Sequence, residues 1–409
     1  MNSDKKPLLS ILIATKNRIP YCINVIERIL KYPDQDFELI IQDNSDSLLL
    51  FDYAKKITDS RLVYNYTPPP FTSIENFNKV ISLSKGKYLC FIGDDDCVSP
   101  EIFKTVRWAN KNNIDSIVPS LSSIYWWPDA TVKIKGKEKD NGRLEIKKLS
   151  LKIKKYSTIG EVEKLMKTGA QNYMELNLPK LYHGIVKRKY LNLIKEKTGN
   201  FIGGLSPDIY LAVALSTLIK KIIKIDYPLT ISGICKASTS YSSATENNVG
   251  NLENFIRPRS RGEYFWAKEV PRFYSGINVW ADSAIASLTD LNELSIKKKF
   301  NVTNLVLLSI IRKQGDKHDL IKHYLDFNNV NGRIKEKYYI FKLYILKYKL
   351  IIFTLFTNIF RRIHIQFLTK TNSVTIINVN NISDALDLLI DHMRSNNISF
   401  DLKDKNNII

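Results

Sequence analysis

The sequence predicts an α/β fold with a parallel, doubly wound sheet in its first hundred residues. Short apolar runs alternate there with segments of helical periodicity, which is the order of strand–helix–strand units. The runs are rich in β-branched residues, as strands buried on both faces of a parallel sheet are. The chain has 409 residues, of which 44% are hydrophobic and 25% are charged. It is therefore long enough for two globular domains, each with a core of its own.

The predicted elements of this first part follow one another closely. We expect strands at residues 8–15 (LLSILIAT), 37–43 (FELIIQD), 61–66 (RLVYNY) and 87–93 (KYLCFIG). We expect helices that start near Pro20 and that span residues 49–57 and 74–84.

The pattern after residue 100 is looser. We expect a helix at 101–112, a strand at 116–127, an exposed charged segment at 132–149, a strand and helix at 181–194, a helix capped by Ser206 and a strand pair at 220–234. The Ser/Thr-rich segment 236–248 is typical of a flexible loop. It predicts a boundary between a domain at residues 1–245 and a mostly helical domain at residues 246–409.

Three polar turns, TKNR, DNSD and DDD, follow the predicted strands that end at Thr15, Asp43 and Gly93. Ligands of a doubly wound sheet bind beyond the carboxyl ends of its strands, so these turns should meet at one rim. Adjacent carboxylates such as Asp94 and Asp95 repel each other, which raises the pKa of at least one of them. A hard cation such as Mg²⁺ or Mn²⁺ removes that cost and often binds substrate phosphates as well. The triplet therefore predicts a metal or sugar-nucleotide site in preference to a solvated acidic turn.

The combination SILIATKNR…FELIIQDNSD…GKYLCFIGDDDCVSPE resembles the nucleotide-binding half of family 2 glycosyltransferases. These are inverting enzymes with the Rossmann-like GT-A fold, and the resemblance points to the bacterial surface-polysaccharide type. It covers the first hundred residues well and continues less clearly to Cys235. It implies a nucleotide-sugar-binding domain followed by a mostly α-helical C-terminal region.

The resemblance also implies roles for residues at the rim. The donor site would be formed by Thr15, Lys16, Asn17, Arg18, Asp43, Asn44 and Asp94. Asp95 would bind the metal, and Asp96 would be a second metal ligand or would orient the first. Arg18, at the start of a helix, is either a phosphate contact or a surface residue. Lys16 stands where relatives often have a tyrosine and Asn44 where many have a second aspartate, so the identity of the base stays open. A metal-ligating histidine that sometimes occurs late in this fold has no clear counterpart here, so the third metal ligand stays open as well.

Asp208, in the segment SPDIYLAVAL, is the candidate catalytic base. Inverting transfer needs a base that removes the proton of the acceptor hydroxyl. The family keeps an acidic residue at the start of a helix over the acceptor site, and this segment resembles that helix. The alternative is structural, because the helix dipole alone favours an aspartate in a first turn and lowers its pKa. We favour the catalytic role.

The formal charge of +20 reflects either an anionic partner or simply the abundance of lysine. The segment 335–367 carries Lys335, Lys342 and Lys349 at heptad spacing among aromatic and aliphatic residues. Such a helix lies either on an anionic membrane surface or against the second domain with its lysines turned outward. The family resemblance favours the membrane. No uninterrupted run of about 18 apolar residues occurs, so we expect no conventional membrane span.

The four cysteines form no CxxC pair, and the five histidines form no zinc-binding pattern. We therefore expect free thiols in a reducing cytosol. The predicted location is cytoplasmic, with peripheral attachment to the inner face of the cytoplasmic membrane if the segment 335–367 binds lipid.

These observations predict a metal-dependent inverting glycosyltransferase. It would move a sugar from a UDP- or dTDP-linked donor to a hydroxyl of a glycan or lipid-linked glycan acceptor, in the synthesis of a cell-surface polysaccharide such as O-antigen or capsule. We expect no nucleic-acid partner. Nucleotidyl transfer is a second hypothesis, although IATKNRIP lacks the glycine-rich phosphate loop that it would need. A non-catalytic glycan- or membrane-binding protein on the same fold is a third, and the intact Asp94, Asp95 and Asp208 count against it.

Overall fold

The computed structural model describes residues 6–134, 137–139, 142–245, 249–368, 372–398 and 402. Its strands are β1 (Leu9–Thr15), β2 (Phe37–Asp43), β3 (Leu62–Tyr66), β4 (Tyr88–Phe91), β5 (Cys97–Val98), β6 (Ser116–Pro119), β7 (Ser123–Trp126), β8 (Val132–Ile134), β9 (Lys137–Lys139), β10 (Arg143–Ile146), β11 (Ile153–Ser157), β12 (Ile185–Lys187), β13 (Lys221–Ile225), β14 (Thr230–Ile234), β15 (Val249–Gly250), β16 (Tyr274–Ser275) and β17 (Val374–Ile376). Its helices are α1 (Ile19–Leu30), α2 (Leu49–Ala54), α3 (Ser73–Leu83), α4 (Glu101–Lys111), α5 (Glu161–Lys167), α6 (Arg188–Thr198), α7 (Pro207–Leu218), α8 (Thr239–Thr245), α9 (Leu252–Ile256), α10 (Gly276–Asp290), α11 (Leu294–Lys297), α12 (Val302–Ile311), α13 (Lys317–Phe327), α14 (Arg333–Leu368) and α15 (Ile382–Ser395).

The larger sheet has the strand order β3-β2-β1-β4-β12-β6-β13-β11. Strands β3, β2, β1 and β4 run parallel to one another, as predicted. Strand β12 runs antiparallel to both β4 and β6, so the whole sheet is mixed and not purely parallel. The antiparallel direction of β12 follows from where the chain enters the sheet. The His183 N–H donates to the Phe91 carbonyl at 2.8 Å, so the chain enters beside the carboxyl end of β4. From that end, β12 can only run back along β4 in the opposite direction.

Alternating residues of β1 build the cores on both faces of this sheet. Ile11 and Ile13 pack into one apolar cluster with α1 and α4. Leu12 packs into the other, with α3, α6 and α7. This two-sided burial explains why the first strand is an uninterrupted apolar run.

The second sheet has the order β17-β10-β7-β14-β5 and corrects three expectations. The predicted strand at 116–127 is two strands, β6 and β7, which belong to different sheets. The predicted pair at 220–234 is β13 and β14, which do not pair with each other for the same reason. The segment 132–149, predicted to be exposed, contains the sheet strand β10, in which Leu144 and Ile146 are buried. The strand was missed because its four residues lie within a long charged segment and are too few to show the period of 2 that marks a strand.

The C-terminal part of the chain returns to the first sheet. Ile382, Leu386 and Leu389 of α15 belong to the same buried cluster as Ile11 and Ile13 of β1, and β17 pairs with β10. The predicted domain boundary at residue 245 stays a prediction, and these contacts cross it. The segment 236–248, expected to be a flexible loop, contains the helix α8, and residues 246–248 lie outside the described residues.

The contact between α15 and the first core leads to a stability prediction. Leu386→Ala should lower the free energy of unfolding of the whole cooperative unit by about 2–5 kcal/mol, because it opens a cavity in that core. Urea denaturation, followed by near-UV and far-UV circular dichroism, measures the change. Asp391→Ala, at an exposed position of the same helix, should stay within about 0.5 kcal/mol of the parent. If Leu386→Ala melts only a part of the helical signal and leaves the main transition in place, α15 is not part of the first core.

Candidate functional site

The ends of β1, β2 and β4 meet at one edge of the sheet, which we call the rim (residues 15–18, 43–46 and 93–96). The Thr15 hydroxyl donates to Oδ2 of Asp94 at 2.6 Å, and Nη1 of Arg18 donates to Oδ1 of Asp94 at 2.8 Å. The backbone N–H of Asn44 donates to the Thr15 carbonyl at 3.2 Å. The structure therefore brings residues of all three predicted turns into direct contact.

Arg18 is the cation that pairs with the acidic triplet. Its Nη1 lies 3.5 Å from Oδ1 of Asp95 as well as 2.8 Å from Asp94, and its Nη2 donates to the Ala237 carbonyl at 2.6 Å. Burial acts to lower the pKa of Arg18, but Asp94 and Asp95 raise it well above its ordinary value. Arg18 is therefore held inward at the rim, although a surface position was an equal alternative from the sequence.

Asp95 is a buried carboxyl group with little compensation for its charge. Its Oδ2 accepts one hydrogen bond, from the Cys235 N–H at 3.3 Å, and its backbone carbonyl accepts from Nε1 of Trp127 at 3.0 Å. Burial, then repulsion by Asp96 and Asp94, raises the pKa of Asp95 to about 7 in spite of Arg18. An ionised Asp95 is therefore the member of the triplet that gains most from an added cation.

Asp96 has the opposite environment. Its Oδ2 accepts from the Gly93 N–H at 2.6 Å and from the Tyr182 hydroxyl at 2.9 Å, and its Oδ1 accepts from the Gly233 N–H at 2.7 Å. Nε2 of His183 lies 3.2 Å from Oδ2. Burial acts to raise the pKa of Asp96, but the charge and hydrogen bond of His183 and the two backbone donors lower it. The lone pairs of Asp96 are thus engaged by the protein itself.

His183 is the functional candidate that the sequence analysis missed. It is 4% exposed, and its Nδ1 lies 2.9 Å from the Thr230 hydroxyl, so both ring nitrogens have partners. Its φ of +55° is unusual for a residue other than glycine. Nothing in LYHGIV marked this histidine, because its partner Asp96 is distant along the chain and only the fold brings the two together. A strained backbone at a buried polar cluster is typical of functional sites.

Asp208 lies in the first turn of α7, after Pro207, and is half-buried. Ser206 is the N-cap residue, as predicted, but its side chain forms no capping hydrogen bond. Burial raises the pKa of Asp208 to about 6, with His183 and Lys180 opposing the shift and Asp96 adding to it. Among the described residues, none forms a hydrogen bond or an ion pair with the Asp208 carboxylate. It is therefore free to accept a proton from a ligand, and its pKa is raised and not lowered as the structural alternative had it.

The other predicted donor residues line the β2 side of the rim. Asp43 accepts from the Ser45 N–H at 2.8 Å and from the Tyr64 hydroxyl at 2.6 Å. Nδ2 of Asn44 donates to the Phe71 carbonyl at 2.8 Å. Oδ1 of Asn44 is buried and has no hydrogen-bond partner within the described part of the chain. A buried acceptor without a donor is costly, so this atom suits a ligand that brings an N–H or O–H group.

Lys16 and Asn17 turn away from the triplet, towards an exposed acidic residue. Nδ2 of Asn17 donates to Asp46 at 2.6 Å, and its backbone N–H donates to the Ser45 hydroxyl at 2.8 Å. Nζ of Lys16 lies 3.5 Å from Asp46. The structure thus joins β1 to β2 through these residues, and the sequence analysis had not identified Ser45 or Asp46.

The triplet fits a divalent cation through Asp95 and not as a cluster of three ligands. Metal ligands can be sought as groups of three His, Cys, Asp or Glu residues whose donor atoms lie within 4.8 Å of one another. Among residues 6–134, 142–245, 249–352 and 372–398, one such group occurs, and it consists of the exposed residues Asp316, His318 and Asp319. Asp94 and Asp96 are engaged by Arg18 and His183. Asp95 is left as a buried oxygen donor of high pKa, which suits a hard cation.

Comparison with known proteins gives three findings. The family model described as Glycosyl transferase family 2 matches residues 10–160. WcaA of Escherichia coli strain K12, which has the provisional name colanic acid biosynthesis glycosyl transferase, is 30% identical over 96 residues, or 23% of this chain. The chain matches only 34% of the length of that relative. The crystal structure of S. aureus TarS in complex with UDP-GlcNAc gives a TM-score of 0.45 at 13% identity and covers 79% of this chain and 80% of that chain. The TarS 1-349 structure gives 0.42 at 11% identity, with 80% and 93% covered.

The match to the family model over residues 10–160 agrees with the predicted family and fold class. All four cysteines are buried free thiols, as expected. In the part of the chain that the structure describes, every helix is too short or too polar to cross a lipid bilayer.

The packing of β14 on the triplet gives a second stability prediction. A Cβ atom at Gly233 would lie 1.7 Å from the Asp95 carbonyl oxygen. Gly233→Ala should therefore displace the triplet and lower the free energy of unfolding by about 1–3 kcal/mol or more. Gly276→Ala is the matched control, because nothing lies within 4 Å of a Cβ atom there. Urea denaturation of both variants measures the difference, and equal stability would contradict the close approach of β14 to Asp95.

The raised pKa of Asp95 gives a third prediction, on the metal-free protein. Its folded-state pKa of about 7 lies above the ordinary value of 3.8, so the ionised carboxylate destabilises the fold as the pH rises through that range. With EDTA present, Asp95→Asn should therefore be more stable than the parent at pH 8, by on the order of 1–3 kcal/mol. The difference should shrink towards pH 5, where Asp95 is protonated in the folded protein. Lower stability of Asp95→Asn at pH 8 would mean that Arg18 already compensates the charge.

Proposed function

We propose that the protein is a metal-dependent inverting glycosyltransferase, because its residues 10–160 match the family model described as Glycosyl transferase family 2. It moves a sugar from a nucleoside diphosphate sugar, UDP- or dTDP-linked, to a hydroxyl group of a glycan or lipid-linked glycan in cell-surface polysaccharide synthesis. The observation that carries the proposal is that two carboxyl groups with raised pKa values, Asp95 and Asp208, both lie close enough to Asp96 for its charge to act on them.

The nucleoside binds at the β1 and β2 ends of the rim in this proposal. The orphaned Oδ1 of Asn44 accepts a hydrogen bond from the base, and Asp43 lies beside it as a fixed carboxylate. Thr15 and Arg18 hold Asp94 so that its carboxylate faces the ribose. Lys16 and Asn17 close the end of the site through Asp46. Arg18, which already lies among carboxylates, is the nearest positive charge for the phosphates.

Asp95 is the residue that we assign to the metal. It would hold Mg²⁺ or Mn²⁺, and the chemistry supplied there would be positive charge against the negative charge that develops on the leaving diphosphate. Asp96 is assigned to orientation, which was one of its two roles in the sequence analysis, because its oxygens are already occupied by Gly93, Tyr182, Gly233 and His183. Its role is to fix the loop that carries Asp95.

Asp208 acts as the general base. The acceptor oxygen attacks the anomeric carbon from the side opposite the diphosphate, and its proton passes to the Asp208 carboxylate. The bond between the anomeric carbon and the diphosphate oxygen breaks, and its electron pair leaves with the diphosphate. A base with a pKa of about 6 is ionised at neutral pH and is more basic than an ordinary aspartate. Burial of Asp208 thus serves the reaction directly.

A screen for nucleotide release tests the proposal. The purified chain is incubated with Mn²⁺ and a panel of nucleotide sugars, and released UDP or dTDP is measured. We expect slow hydrolysis of one donor, and we expect it to fall by at least about a hundredfold in Asp95→Asn, since oriented charge contributes on that scale. Asp52→Asn, an exposed aspartate on α2, is the control and should keep the parent rate. Silence of a folded parent protein across the whole panel would overturn the assignment.

The base assignment gives a pH prediction. His183, Lys180 and Asp96 face Asp208 from other elements, and together with burial they set its pKa near 6. Because the base must be unprotonated, kcat should rise with pH through about 6 and then level off. Asp208→Asn should lower kcat by about 10²–10⁴-fold and remove this limb of the profile. Donor binding, measured by calorimetry, should change little. An unchanged limb in Asp208→Asn would assign the base elsewhere.

A further inference from the structure

Helix α14 has one side that packs on the protein. Leu343 is buried, and Tyr339, Leu346 and Leu350 pack partly buried beside it against Val302 and other residues of α12 and α13. These four positions recur at spacings of three and four residues, so they share one face of the helix. This face accounts for the second of the two interpretations of the segment 335–367, a helix packed against the protein.

The opposite side of α14 carries a second apolar stripe that is exposed in the part of the chain that the structure describes. Its members are large, are 41–87% exposed, and repeat with alternating spacings of four and three residues over three heptads. They are Ile334, Tyr338, Phe341, Ile345, Tyr348, Ile352 and Leu355. Scattered exposed apolar residues are normal, but a continuous stripe of them indicates an interaction surface. We call this surface the α14 stripe.

Exposed lysines border the α14 stripe on both sides. Lys335, Lys342 and Lys349 each follow directly after a stripe residue and so line one edge, and Lys337 lies on the other edge. Glu336 is half-buried and turned towards the packed side. The border of the stripe is therefore positive within the described side chains, and an occupant that covers it must tolerate or carry negative charge.

A second copy of this helix does not meet that requirement. In a coiled coil built on this heptad repeat, the lysines would occupy the positions that flank the seam, where interhelical charge pairs form. Two copies would bring lysine against lysine in either orientation of the helices. A crossing of the bilayer is also excluded for the described part of α14, which is not apolar enough to span one.

We propose that the α14 stripe binds an anionic lipid surface, with the helix lying flat in the interface. The apolar side chains enter the acyl boundary, the tyrosines stay at headgroup level, and the bordering lysines contact lipid phosphates. The stripe spans 22 residues, about 33 Å at 1.5 Å per residue. The inference deepens the proposed function by placing the acceptor reaction at a membrane, and it rests on the proposed function only for that purpose.

Vesicle flotation with the full chain tests the proposal. Two vesicle types are compared, one of phosphatidylcholine alone and one of equal parts phosphatidylcholine and phosphatidylglycerol. We expect binding to the second, at least tenfold tighter than to the first. The triple variant Phe341→Gln, Ile345→Gln, Tyr348→Gln should bind at least tenfold more weakly than the parent. Lys335→Gln, Lys342→Gln, Lys349→Gln should lose the preference for anionic vesicles.

A matched control changes exposed apolar residues elsewhere. Ile159→Gln and Phe265→Gln replace side chains that are 72% and 83% exposed outside α14, and this double variant should bind vesicles like the parent. Far-UV circular dichroism and the release of nucleotide from the donor confirm that each variant is folded.

Three outcomes would overturn the proposal. One is a parent chain that binds neither vesicle type, and another is an α14 stripe variant that binds like the parent. The third is a parent dimer, detected by sedimentation, that the stripe variant breaks, because a second copy would then be the occupant. Donor hydrolysis that persists when vesicle binding fails leaves the transferase proposal intact, and the loss of hydrolysis alone leaves the membrane proposal intact.

Discussion

The hydrogen bonds to the Asp96 carboxylate are the constraint on which the rest of the site depends. They join three separate parts of the chain: the turn after β4 through Gly93, the segment that enters β12 through Tyr182 and His183, and β14 through Gly233. Charge-assisted hydrogen bonds of this kind are stronger than neutral ones. Since Gly233 also lies against the Asp95 backbone, the bonds to Asp96 fix where the neighbouring carboxylate points. The acidic turn is therefore a rigid junction of two sheets.

This junction divides three adjacent and chemically identical residues into different roles. Asp94 is paired with the permanent cation Arg18, and Asp96 is paired with His183 and backbone donors. Asp95 accepts one backbone hydrogen bond, and Nη1 of Arg18 lies 3.5 Å from its carboxylate, farther than from that of Asp94. Its ionised form is therefore the least stabilised of the three. In the proposed function, a cation that binds with the donor substrate would compensate that deficit. The destabilisation of the metal-free protein and its affinity for a metal would then have one cause, namely a buried charge that Arg18 compensates only in part.

The sequence predicts strands β1 to β4 and their polar ends better than the rest of the proposed site. The reason is the separation along the chain between the residues that make contact. Strands β1 to β4 are local apolar runs, and their polar ends meet because parallel strands are in register, so Thr15, Asp43 and Asp94 can be located without coordinates. His183 and Gly233 reach the same site through long-range pairings that leave no local pattern. Strand β10 was missed because its four residues lie within a long charged segment, and the inclusion of Arg143 among the buried residues has no signal in composition. The return of α15 to the first core likewise depends on contacts between distant residues.

The helical part of the chain links Asp208, the proposed base, to the α14 stripe through direct packing. Helix α7, whose first turn contains Asp208, packs on α10, and α10 packs on α12, which in turn packs on α14. Helices packed at core density move as one body more readily than they deform. A membrane bound along α14 would therefore fix the orientation of α7, and with it the direction from which an acceptor approaches Asp208. The proposed donor residues lie at the edge of the sheet and not in these helices. Asp96, which is paired with His183, acts on the pKa of both Asp95 and Asp208. In the proposed reaction, this residue therefore lies between the donor site on the sheet and the acceptor site at α7.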